Sequence, residues 1–256
     1  MVRRVGLLGL VSAVLVGAAG CGSGAEARAQ VLEAAGVRQS VVCTGTGSPA
    51  VVMVHGIGDR ASSGDLVPAQ ELLSQTHRTC RYDRPGTGQS PPPPRAGRTG
   101  DDLVAELSAV ADLADPSAPV IVVAHSFGSY PALLMADRHP DRVAGLVLAD
   151  TVDPGFGLLA ALGAGSWKEA RQGREGLDLE AVERQVGRVG SLERLPLVVV
   201  RRGEGVSQAW LAAQQALAGR SSHSKLLVAE DSGHEVPSDA PEKVREGVEA
   251  LAGLGG

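Results

Sequence analysis

The sequence predicts an α/β domain of three layers, a mostly parallel sheet of eight strands covered by helices on both faces. Three observations predict it. Short aliphatic and β-branched runs at 50–55, 120–124, 143–149 and 197–201 lack polar alternation, which suits strands buried on both faces. Those runs alternate with helical segments, the order that places parallel strands side by side with helices crossing over them. The composition, 43% apolar and 21% charged over 256 residues, is globular and excludes a disordered or collagen-like chain.

The first residues stand apart from that domain. Arg3 and Arg4, an apolar stretch over 5–16 and the small residues Ala18-Ala19-Gly20 follow the grammar of an export signal, with an apolar stretch too short to span a bilayer. The cysteine that follows, Cys21, resembles the lipid-acceptor cysteine of bacterial lipoproteins, although Ala18 stands where leucine is commoner. The expected division is a signal at 1–20, a tether at 21–26 and a catalytic-type domain over 27–256. That predicts a protein held by a lipid anchor at the outer face of the cell membrane, with free secretion as the alternative. If Cys21 carries lipid, Cys43 and Cys80 remain as an even pair in an oxidising compartment, where a disulfide is allowed. The formal charge of −5 and the lack of any Lys/Arg block leave no electrostatic basis for a nucleic-acid partner.

Along the chain, 27–33 and 37–43 read as two strands around an Ala-Gly turn, and 50–55 as a third. A helix is expected at 68–74 and a short strand at 78–83, before the loop Asp83-Arg-Pro-Gly-Thr-Gly88 and four prolines at 91–94. Thr99 with Asp102 forms a capping box that opens a helix to about Ala114, stopped by Asp115-Pro116. Strand 120–124 runs directly into a helix at 127–138, and strands at 143–149, 197–201 and 225–230 follow. Helices at 206–219 and 241–251 follow the last two strands, the second opened by Ser238 or Asp239 with proline in its first turn. Residues 155–192 break the alternation with helical periodicity and no strand, as a lid or binding insertion would, and Phe156, Leu158, Leu159 and Trp167 are its apolar candidates for lining a pocket.

The chemistry centres on Ala124-His-Ser-Phe-Gly128, a serine at a strand-to-helix junction with small residues two before and two after it. Such a turn holds the serine in a strained, exposed conformation, and the small residues let strand and helix approach. With this motif the chain resembles an α/β-hydrolase from about residue 27 to the end, Ala124 replacing the commoner glycine. It is similar to secreted bacterial hydrolases carrying Cys-Thr-Gly-x-Gly-Ser-Pro before the third strand and Cys-x-Tyr-Asp-Arg-x-Gly-x-Gly-x-Ser after the fourth, matched here at 43–49 and 80–90. In that fold the second and fourth strands are antiparallel neighbours, so the resemblance implies a Cys43–Cys80 disulfide.

The resemblance also implies the site. Ser126 would be the nucleophile, and His234 in Asp231-Ser-Gly-His-Glu the general base. His55-Gly-Ile-Gly-Asp59 resembles an oxyanion segment, with the amides of Ile57 and Phe127 as donors. His55 and His125 are expected to shape turns and packing, His77, His139 and His223 to lie at the surface, and Asp83 and Arg84 to pin the loop that ends at Ser90. The acid stays open. Asp150 ends one strand and is favoured; Glu204, after the next strand, and Asp153 are the alternatives, and Asp231 is read as a loop residue. No metal-ligand spacing and no dinucleotide-binding glycine motif occurs, so neither metal nor cofactor is expected. The expected activity is esterase-like hydrolysis of a small acyl substrate. An aminopeptidase or amidase that clamps an amine with Glu169, Glu175 or Asp178 is one alternative, and a non-catalytic binding lipoprotein is the other.

Overall fold

The computed structural model describes residues 28–58, 65–151, 153–154 and 174–255. Its centre is a sheet of eight strands: β1 (Gln30–Ala34), β2 (Val37–Thr44), β3 (Val51–Val54), β4 (Thr79–Asp83), β5 (Val120–His125), β6 (Val143–Ala149), β7 (Leu197–Arg202) and β8 (Ser224–Ala229). They lie in the order β1-β2-β4-β3-β5-β6-β7-β8. Strand β2 is antiparallel to both β1 and β4, and the remaining pairs are parallel.

The unbroken apolar runs are explained by two cores, one on each face. Along β3, β5, β6 and β7 alternate residues point to opposite faces. Val52, Val54, Val122, Ala124, Leu146, Leu148 and Val199 enter one core, while Val51, Met53, Ile121, Val123, Val147, Val198 and Val200 enter the other. The first core is closed by Leu103, Leu107 and Val110 of α2 (Gly100–Ala114) and by Leu133 and Leu134 of α3 (Ser129–Arg138). The second is closed by Ala69 and Leu73 of α1 (Val67–Leu73), and by Val244, Val248 and Leu251 near the C-terminus. Because both faces are covered, a polar residue on either side of these strands would meet no water.

Helix α2 starts with the expected capping box at Thr99 and Asp102 and ends at Asp115. Among the described residues the remaining α-helices are α4 (Leu179–Val186), α5 (Gln208–Ala218), the short α6 (Val236–Asp239) and α7 (Pro241–Leu251). The start of α7 differs from expectation. Ser238 and Asp239 belong to α6, and Ala240 stands at the N-cap with no side-chain hydrogen bond, because Pro241 alone ends the preceding turn and begins the next helix. Residues 155–173 of the expected insertion, with Phe156, Leu158, Leu159, Trp167 and Glu169, lie outside the described residues, as do the signal, Cys21 and the tether. The rest of the insertion returns along α4, whose Leu179, Val182 and Val186 pack into the first core.

Cys43 and Cys80 are directly paired across β2 and β4 and form a disulfide. The carboxyl ends of the parallel strands β3, β5, β6, β7 and β8 all open on one edge of the sheet, the edge where α/β sheets place their sites.

Candidate active site

The buried strand β5 ends at His125, and the chain reverses into α3 through a single 3₁₀ turn at Ser126–Gly128. Ser126 has φ 50°, a left-handed conformation that costs a non-glycine residue energy and is kept only where surrounding packing imposes it. That packing is tight: a Cβ at Gly128 would lie 2.5 Å from the Val54 carbonyl oxygen and 3.0 Å from that of His55. The turn that carries Ser126 and Phe127 therefore abuts the end of β3, where Ile57 follows.

Ser126 Oγ lies 3.1 Å from His234 Nε2, and His234 Nδ1 lies 2.7 Å from Asp150 Oδ2. The carboxylate can only accept, so Nδ1 carries the proton toward Asp150 and Nε2 is left facing the hydroxyl. The hydrogen bond to Asp150 raises the His234 pKa above the usual 6.5, against the opposing effect of partial burial. Asp150 is itself fully buried at the end of β6 with φ 43°, and its amide donates to the Val200 carbonyl at 2.8 Å. Two further donors hold its carboxylate: Arg202 Nη1 to Oδ2 at 2.9 Å and the Arg202 amide to Oδ1 at 3.2 Å. The Arg202 guanidinium in turn lies over the Trp210 ring at 4.7 Å.

Of the three acids open in the sequence, only Asp150 reaches the histidine. Glu204 is exposed two residues beyond β7, with its amide bonded to the Ser232 carbonyl. Asp153 lies 3.6 Å from Arg220.

His125 is buried, and its Nε2–H donates to the His234 carbonyl at 2.8 Å. Burial first, and then the nearby His234, bring its pKa down to about 4, so it holds the His234 loop as a neutral ring. His55 is also buried; its Nδ1–H donates to the Gly56 carbonyl at 2.8 Å and its Nε2 accepts from the Arg84 amide at 3.2 Å. Burial and then the Arg84 charge push its pKa well below 6.5. His55 thus shapes its turn, as expected, whereas His125, expected only in packing, also holds the His234 loop. His77 and His223 depart from their expected place at the surface: both are half-buried, His77 with Nδ1 donating to the Pro49 carbonyl at 2.9 Å, while His139 is exposed.

Asp83 and Ser90 close their loop on each other, Asp83 Oδ2 accepting from the Gln89 amide and Ser90 Oγ donating to the Asp83 carbonyl. Arg84 does more than pin that loop. Its side chain runs to the His55 and Gly56 carbonyls and to Glu175. The Glu175 carboxylate, expected as an amine clamp in the aminopeptidase reading, is thereby occupied by Arg84 and the Gly58 amide, and Asp178 caps α4 by accepting from the Ala181 amide. Nothing in the sequence linked Arg84 to Glu175, 91 residues away, or Arg202 to Asp150.

Among the described residues, His125, His234 and Glu235 bring one possible metal ligand each within 4.8 Å of one another. Both ring nitrogens of His234 already serve Asp150 and Ser126, so a metal there would dismantle the hydrogen-bonded chain.

The chain matches the family model described as alpha/beta hydrolase fold over residues 49–193, more than half its length. It is 27% identical over 208 residues to YqjL of Bacillus subtilis, a protein itself uncharacterised, covering 76% of this chain and 81% of that one. It is 34% identical over 129 residues to a 2-hydroxymuconate semialdehyde hydrolase of Pseudomonas putida, a match that spans 50% of this chain and 45% of the relative. Among solved structures, a thermophilic esterase from Thermogutta terrifontis superposes with a TM-score of 0.65 at 19% identity, over 89% of this chain and 100% of the other. At that identity the likeness is one of fold.

Proposed function

The chain belongs to the alpha/beta hydrolase fold family, and from that premise we propose that it is a serine hydrolase cleaving carboxylic esters through an acyl-enzyme on Ser126. The observation that carries this reading is the continuous hydrogen-bonded chain from Ser126 through His234 to Asp150 at a strained strand-to-helix turn. His234 Nε2 takes the Ser126 proton as Oγ attacks the carbonyl, and Asp150 stabilises the imidazolium that forms. The same histidine returns the proton to the leaving alkoxide, and water, deprotonated by His234, then releases the acid. The amides of Ile57 and Phe127 hold the oxyanion of each tetrahedral intermediate, each donor worth about 3–4 kcal/mol in the transition state.

The acyl group is small or flexible and aliphatic. The chain has only six aromatic residues, and Tyr82, Phe127, Tyr130 and Trp210 are buried in the fold, which supports a pocket walled mainly by aliphatic side chains. Short-chain p-nitrophenyl esters are expected to turn over faster than bulky aromatic esters and aminoacyl p-nitroanilides. Faster anilide cleavage would replace the esterase reading with the amidase one.

The enzyme works at the outer face of the membrane, anchored by lipid on Cys21 through a tether that reaches at most about 20 Å. Labelled palmitate should enter the protein in a bacterial host and be lost in Cys21→Ser. Equal labelling of both would remove the anchor.

A further inference from the structure

We propose that the buried Arg84–Glu175 pair is a positioning device for the oxyanion hole, setting the direction and donor strength of the Ile57 amide. This rests on the assignment of Ile57 as an oxyanion donor above. Arg84 is the first residue after β4, and both it and Glu175 are buried, with side chains 0% and 6% exposed. Arg84 Nε donates to Glu175 Oε2 at 2.8 Å and Nη2 to Oε1 at 3.2 Å. The other donors leave the pair. Nη1 reaches the His55 carbonyl at 2.7 Å and Nη2 the Gly56 carbonyl at 2.6 Å, while Glu175 Oε1 accepts from the Gly58 amide at 3.0 Å.

Those contacts fall on the peptide groups that define Ile57. The Gly56 carbonyl and the Ile57 N–H belong to one planar, trans peptide unit, so fixing the oxygen on Arg84 aims the N–H to the opposite side. The Gly58 amide belongs to the next unit, and Glu175 fixes that one. A cation on the Gly56 oxygen also polarises the peptide and makes its N–H a stronger donor. Phe127, which carries the second donor, lies with its ring 5.2 Å from the Arg84 guanidinium, so one side chain touches both halves of the hole.

The device is anchored from behind. Arg98 Nη1 donates to the Glu175 carbonyl at 2.6 Å, and the Arg98 amide to the Gly176 carbonyl at 3.0 Å. Gly86 lets the chain lie flush, since a Cβ there would come within 2.1 Å of the Arg174 carbonyl oxygen. A buried ion pair is a poor stabiliser compared with apolar residues of the same volume. Its donors here are matched to backbone groups of the segment that carries Ile57.

The double variant Arg84→Met/Glu175→Leu removes both charges together and leaves neither one buried alone. On p-nitrophenyl butyrate its kcat should fall about 10²-fold with KM within twofold of wild type, because the lost interaction forms only in the transition state. Labelling of Ser126 by a fluorophosphonate should slow in parallel, while far-UV circular dichroism stays native. Glu175→Asp, which keeps the charge and shortens its reach, should show a smaller kcat loss at the same KM. A kcat within threefold of wild type in the folded double variant, or a loss lying wholly in KM, overturns the proposal. Should the double variant fail to fold, Glu175→Asp decides alone, and a wild-type kcat there overturns it. If the wild-type protein itself does not label at Ser126, the assignment of the site fails and the proposal falls with it; labelling without the kcat effect defeats the proposal only.

Discussion

Two arginine–carboxylate pairs flank Ser126, and they are used in opposite ways. On the oxyanion side, Arg84 and Glu175 are both buried and direct their remaining capacity to backbone groups of His55, Gly56 and Gly58. On the acid–base side, Asp150 is buried but Arg202 is 21% exposed, and the carboxylate gives its free capacity to the ring of His234, which is 41% exposed. In the proposed mechanism the first pair fixes a shape, and the second holds a proton acceptor that changes charge in every turnover. A site that aims fixed dipoles from one side and cycles a proton on the other needs rigidity in the first and water access near the second.

The largest expected effect breaks the cycling side. Asp150→Asn should lower kcat about 10⁴-fold, because the amide no longer holds His234 in the tautomer that faces the hydroxyl. Glu204→Gln should leave kcat unchanged within twofold, and the reverse ranking in steady-state kinetics would move the acid to β7.

A smaller effect lies in the pH profile. His234 works as a base only when neutral, and its hydrogen bond to Asp150 raises its pKa, so the acid limb of kcat/KM should lie above pH 6.5 with activity falling as the pH drops. In Asp150→Asn the residual activity should show that limb at lower pH. His125, by contrast, is held neutral by burial and by the nearby His234, and should titrate only at about pH 4 when followed by NMR.

The smallest expected effect on catalysis comes from the disulfide. Cys43→Ser/Cys80→Ser opens a loop with a sequence separation of 37 and should cost about 3–4 kcal/mol of stability in urea melts. Catalysis in the folded fraction should be kept, because the bridge lies near the start of β4 and the site at the opposite ends of the strands.

The same contrast explains what the sequence made legible. The elbow was readable because its requirements are local: an apolar strand, a serine and small residues within five positions. The Cys43–Cys80 bridge was implied once the family's strand order was recognised. The acid stayed open because β6 and β7 are neighbours, with Ala149 beside Val200, so the ends of both strands come close to His234. Arg202, the last residue of β7, instead donates to Asp150 through both its amide and its guanidinium. The Arg84–Glu175 brace was invisible for a different reason. Its partners are 91 residues apart, and no periodicity or spacing rule joins a loop after β4 to the chain before α4.

The most direct test of the account is fluorophosphonate labelling of the folded protein at neutral pH, read by mass spectrometry of the peptide that carries position 126. A single adduct is expected on Ser126 in the wild type, none in Ser126→Ala, and strongly slowed labelling in His234→Ala. A folded wild-type protein that stays unlabelled, or a Ser126→Ala variant that labels equally, would contradict it.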